Sequence, residues 1–148
     1  MAKTPLDKQI EKARKEAQKN AYKEELRQRA ASIVSSQPII NGVRIIDDTA
    51  EIVLNCLLEN CKDSSTGHVS YDNDIFPQAV SRSIGLEIEK LIQYGMVTSY
   101  IPWANGGMLN LLPCSFSYFE RKATAQAMSL ASTTGEKVDS IIFISHRS

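Results

Sequence analysis

A charge-dense, helix-forming segment at the N-terminus sets the first constraint on how this chain can fold. From about Pro5 to Val34, Ala, Glu, Lys, Gln and Arg dominate, and these residues lose little on entering a helix. Thr4 can cap the segment, and Pro5 suits a first helical turn. Glu11 with Lys15, and Lys12 with Glu16, stand four apart and add small local support. The pattern predicts one long helix from about Pro5 to Val34, which makes residues 1–34 a charged helical N-terminal region. Its apolar stripe runs Leu6, Ile10, Ala13, Ala17, Ala21, then Tyr22, Leu26, Ala30, Ile33, and is shallow because alanines dominate it. Such a helix is largely solvated and docks lightly on a body. Self-association is the second reading, and a basic arm for nucleic acid is the third. Carboxylates interleaved with the lysines dilute any stripe that could track phosphates.

Charge separates this segment from the rest. The 148-residue chain has 17 Lys+Arg and 17 Asp+Glu, a formal net charge of zero. Residues 1–29 hold nine of the basic residues and five of the acidic ones, or +4, which leaves −4 for the remainder. A chain with this balance is not a basic nucleic-acid binder as a whole. No apolar run approaches the roughly 18–20 residues that span a bilayer, so no membrane partner is expected. The charged N-terminus has no apolar leader, which points to the cytoplasm. Cys56, Cys61 and Cys114 then read as reduced thiols and small apolar fillers. Their spacing, with only His68 and His146 available, suits no closed zinc site, and no metal is expected.

The middle of the chain, residues 39–131, reads as a small α+β unit, mainly helical. Pro38 ends the first helix. Ile39-Ile40 and Val43-Arg44-Ile45-Ile46 flank Asn41-Gly42, a hairpin signal. Asp47-Asp48-Thr49 opens a second helix that carries Ile52, Val53, Leu54, Leu57 and Leu58. A short strand over His68–Tyr71 follows, then a turn at 72–77. A longer helix is predicted from Gln78 to Gly95, with Val80, Ile84, Ile88, Leu91 and Ile92 on one face and Gly95 as its stop. Gly85 within it can permit a close helix–helix contact. Two β-prone runs, 96–103 and 108–113, surround Ala104-Asn105-Gly106-Gly107 as a hairpin. A last helix is predicted from Ser115 to about Ala131, with Phe116, Phe119 and Ala123 on one side.

This order of elements resembles a winged helix-turn-helix with a β-hairpin wing. In that family the longer helix enters the DNA major groove and the wing meets the backbone. Here the longer helix is expected to expose Gln78, Ser81, Arg82, Ser83, Glu87, Glu89, Lys90 and Gln93, two cations against two anions. The wing tip has no cation. Affinity for DNA comes largely from neutralised phosphates, so a protein-interaction use of the fold is preferred. Trp103, Arg82 and Lys90 are the candidate contact residues; Trp103 stands beside the wing tip, and Trp is enriched at binding hot spots. A Trp packed within its own hairpin is the commoner alternative.

Residues 132–137 are polar and read as a linker. After them, Val138 to Ser148 contains the unbroken apolar run Ile141 to Ile144, which suits a strand buried in a parallel sheet. Ile142-Phe143-Ile144-Ser145-His146-Arg147-Ser148 resembles the opening strand of a bacterial TIR domain. The resemblance covers residues 138–148 only, as the C-terminal strand of an incomplete α/β domain. It implies a flavodoxin-like domain of signalling adaptors or NAD-cleaving enzymes of anti-phage defence. It also implies that Ser145, His146 and Arg147 would join a nucleotide pocket if the whole domain followed. The family's catalytic glutamate lies downstream, so no catalytic residue corresponds to it here, and NAD would be a substrate only of the complete domain.

No phosphate-binding glycine loop, His-Glu-x-x-His or G-x-S-x-G motif occurs in the sequence. The expected function is therefore a non-catalytic sensing, oligomerisation or protein-interaction region of a TIR-type protein, with self-association as the expected partnership. The alternative is a winged-helix DNA-binding regulator of phage or mobile-element origin.

Overall fold

A computed structural model describes residues 4–141 of the chain. Among these residues the architecture is α+β, with four α-helices and two small antiparallel sheets. Helix α1 spans Pro5–Ser35. Thr4 and Asp7 cap it reciprocally, the Thr4 hydroxyl accepting from the Asp7 amide and the Asp7 carboxylate accepting from the Thr4 amide, which satisfies two otherwise unpaired donors. Its far end has no basic residue in the last turn. Instead Arg44, ten residues on, donates to the carbonyls of Val34 and Gln37 at 3.0 Å.

Strands β1 (Ile39–Ile40) and β2 (Val43–Arg44) form the expected hairpin. Asn41 and Gly42 both have positive φ, 47° and 82°, as the favoured two-residue turn requires. Asn41 also donates to the Ala125 carbonyl at 2.8 Å, fastening the hairpin to the last helix. Helix α2 (Asp48–Glu59) is capped by Asp47 and buries Val53, Leu54 and Leu57. Strand β3 (His68–Asp72) alternates exposed and buried residues, with Val69 and Tyr71 facing the core.

The longer helix starts later than the sequence predicts. Gln78–Val80 forms a single 3-10 turn, and α3 runs only over Ile84–Gln93. Pro77 gives the segment an extended entry, and the Ser83 amide bonds the Val80 carbonyl, closing a turn before the helix begins. Gly95, at φ 79°, ends the helix as expected.

Strands β4 (Val97–Trp103) and β5 (Gly106–Leu111) form the second hairpin, with β5 central in the order β3-β5-β4. Gly106 and Gly107 are not in the turn. They pair with Trp103 and Pro102 on one side and with Asp72 and Tyr71 on the other. A side chain at Gly106 would overlap the Tyr71 carbonyl, so the glycines admit β3 at close range. A register shift between Thr98 and Ile101, with Ser99 at φ 58°, bends β4 as a bulge does.

Helix α4 extends over Pro113–Ile141, well past Ala131. The polar stretch 132–137, read above as a linker, continues it, as do residues 138–141, the start of the predicted strand. A helix already formed upstream propagates without a new nucleus, and Gly135 costs it only about 1 kcal/mol. Residues 142–148, including Ser145, His146 and Arg147, lie outside the described residues. Among the described side chains of α4, Ser115, Tyr118 and Ala125 are buried and Phe119 packs half-buried against the core, while Phe116 and Ala123, expected on the same side, are exposed. Tyr118 wins that position because its hydroxyl finds partners inside, described below. No helix among the described residues is long and apolar enough to cross a membrane.

Candidate functional site

The most informative surface is α3, because its outer side is covered. Toward the body, α3 buries Ile84, Glu87, Ile88, Lys90 and Leu91. On its other side lies α1, which packs along it with Leu26, Ala30 and Val34 turned inward. Gly85 faces Leu26 with room to spare, since a Cβ there would sit 3.8 Å from Leu26 Cδ1. The close contact expected at Gly85 is therefore not what the residue supplies. Glu89 is half-buried under α1. Burial raises its carboxyl above the usual range, with the Arg27 and Lys23 charges opposing. Of the ten residues of α3, Gln93 alone is fully exposed.

This arrangement corrects two expectations of exposure. Glu87 and Lys90 are both 3% exposed. Lys90 Nζ pairs with Glu87 and with Asp47, the latter at 2.6 Å, and donates to Thr49 at 3.2 Å. Thr49 donates to Glu87 at 2.8 Å. Tyr94 donates to the second Asp47 oxygen at 2.6 Å. Burial pushes the Asp47 carboxyl up, but hydrogen bonds from Lys90 and Tyr94 and the Lys90 charge outweigh it and hold Asp47 below its ordinary value. A second cluster adjoins the first. Tyr118 accepts from the Ile46 amide and donates to Glu51, which is held in turn by Lys122 at 2.7 Å. Burial, then the carboxylate each one serves, pushes both phenols well above their ordinary range. These groups saturate one another and staple α2 to α3 and α4. Among the described residues, no group of three or more His, Cys, Asp and Glu is placed to hold a metal.

The three candidate contact residues do not form one patch. Lys90 is interior. Arg82 is exposed on the turn before α3. Trp103 is 46% exposed at the end of β4, its indole Nε1 lying over Gly106, so it packs partly within its own hairpin. Trp103 instead borders a groove between α1 and β4 that also meets Lys19, Lys23 and Tyr100. This groove continues into a cleft of about 340 Å³ bounded by Lys19, Lys23 and Arg27 of α1, Glu89 of α3 and Tyr100 of β4. Sequence reasoning missed the buried network. Its signal was the Glu87–Lys90 pair three apart on a helix otherwise rich in apolar residues.

Apart from Ile39 of β1 and Ile101 of β4, the remaining exposed large apolar groups among the described residues lie on the long helices. Between Pro5 and Glu25 every residue but the half-buried Glu11 is exposed. Leu6, Ile10 and Tyr22 are 63%, 58% and 61% exposed. On α4, Met128 and Leu130 are similarly open. The three cysteines are free thiols, two half-buried and Cys114 exposed. Comparison of the chain with protein-family models, curated proteins and solved structures found no match.

Proposed function

We propose that this chain is a non-catalytic, self-associating interaction region, built on a winged-helix-like unit, of a TIR-type signalling or anti-phage defence protein. One observation carries the choice of interaction over DNA reading: α1 occupies the outer side of α3, the helix that a DNA-reading winged domain would insert into the major groove. The antiparallel order β3-β5-β4, with α2 and α3 packed beneath it, supports the winged-helix reading. The solvent-facing half of α1, with Leu6, Ile10 and Tyr22 open, supports association. The TIR assignment rests on the resemblance of residues 142–148, and NAD chemistry belongs to the complete domain.

The alternative, a DNA-binding regulator, is favoured by one feature. Lys19, Lys23 and Arg27 line up four apart beside Tyr100 and Trp103, a basic edge with aromatic neighbours. Sedimentation velocity of the 148-residue chain across a wide concentration range tests the main reading. A mass that rises with concentration is expected, and a monomer throughout would overturn it.

A further inference from the structure

The apolar stripe of α1 changes sides. Leu26, Ala30, Ile33 and Val34 turn toward the body, and all are buried or half-buried. Leu6, Ile10, Ala13, Ala17 and Ala21 centre roughly 150° away around the helix axis, given 3.6 residues per turn. All five are exposed. The N-terminal stripe therefore cannot serve the contact that the C-terminal stripe serves. An exposed face anchored by a leucine and an isoleucine, 63% and 58% open, loses hydrophobic stabilisation unless something covers it.

We propose that a second copy of this chain covers it, with the two N-terminal halves of α1 packed antiparallel about a two-fold axis. This deepens the self-association reading and rests on it. Two features select this occupant and orientation. In the alignment that sets Leu6 opposite the partner's Ala17, Ile10 lies opposite the partner's Ala13. Each large anchor then meets a small residue, which lets the helices approach closely. The same alignment brings Asp7 near the partner's Arg14, and Arg14 near the partner's Asp7, on one flank of the seam. A parallel pairing in register would set like charges and like-sized side chains against each other. Both charges can reach across. One Asp7 oxygen accepts from the Thr4 amide while the other bonds no described residue, and Arg14 is exposed without an ion pair to any described residue. Isologous contacts of this kind close on themselves and do not propagate into fibres.

Sedimentation of the full chain and three variants tests this interface, with circular dichroism as the check on helix content. Ala17→Glu places a carboxylate where the partner's Leu6 would sit, and is expected to weaken the dimer by about tenfold or more, the factor for a loss of one decade in affinity. Arg14→Glu and Asp7→Lys each replace both charge pairs with repulsions, and each is expected to weaken homodimers by about fivefold. An equimolar mixture of these two variants restores both pairs, so its heterodimer should associate more tightly than either variant alone. Self-association unchanged by Ala17→Glu and Arg14→Glu would overturn this interface while leaving the association reading intact. A mixture no tighter than its parts would overturn the antiparallel register. A wild-type chain monomeric throughout would remove both.

Discussion

Lys90 holds its ammonium group between Glu87 and Asp47 with a side chain only 4% exposed. Removing one partner from a buried charged set leaves the others uncompensated in a poor solvent for charge. Lys90→Met should therefore cost about 3–5 kcal/mol of stability in urea unfolding; a change under about 1 kcal/mol would mean that these groups are solvated in the folded chain. The same network sets the pH range of stability. Asp47 is held below its ordinary value of 3.8, so its contribution is complete above that value and is lost as pH falls through the lower folded one. Tyr94 and Tyr118 are held above their ordinary value of 10. Their contribution is complete below that pH and is lost as pH rises toward the folded values. Thermal unfolding followed against pH should show one decline in strong acid and another beginning above about pH 10. A Tyr94→Phe, Tyr118→Phe double variant should lose the tyrosine part of the alkaline decline.

Two glycines separate what local sequence fixes from what packing decides. Gly85 sits inside α3 with space for a methyl group, so Gly85→Ala should stabilise the fold by about 0.5–1 kcal/mol through helix propensity. Gly67 has φ 71°, and a Cβ there would overlap the Leu111 carbonyl. Gly67→Ala should cost about 1–3 kcal/mol or more, because both strain and a clash oppose it. Melting temperatures moving in opposite directions would check the pair. The extent of α1, its Thr4 cap, the Asn41-Gly42 hairpin and the Asp47 cap were legible because each depends on residues a few positions apart. The start of α3 was misplaced because Val80 is apolar in phase with the helix yet belongs to a separate turn. The glycines of β5 resembled a turn because nothing in the sequence announces that β3 crosses them. Glu87 and Lys90 looked like surface charge because their partners, Asp47 and Thr49, lie about forty residues away.

At the scale of the whole molecule, the charge asymmetry takes a definite shape. The +4 segment is not a free arm. It belongs to α1, which packs on α3 from Leu26 onward, and Lys19, Lys23 and Arg27 border the cleft beside β4. Its N-terminal half turns an apolar face outward. On the winged-helix reading proposed above, α1 covers the helix face that such a domain would use on DNA. The most direct test is the binding of the 148-residue chain to duplex DNA as a function of salt. Protein-interaction use predicts weak binding with a shallow dependence of log K on log salt. Tight binding with a steep dependence, reflecting many phosphates neutralised at once, would contradict it and assign the basic edge of α1 to nucleic acid.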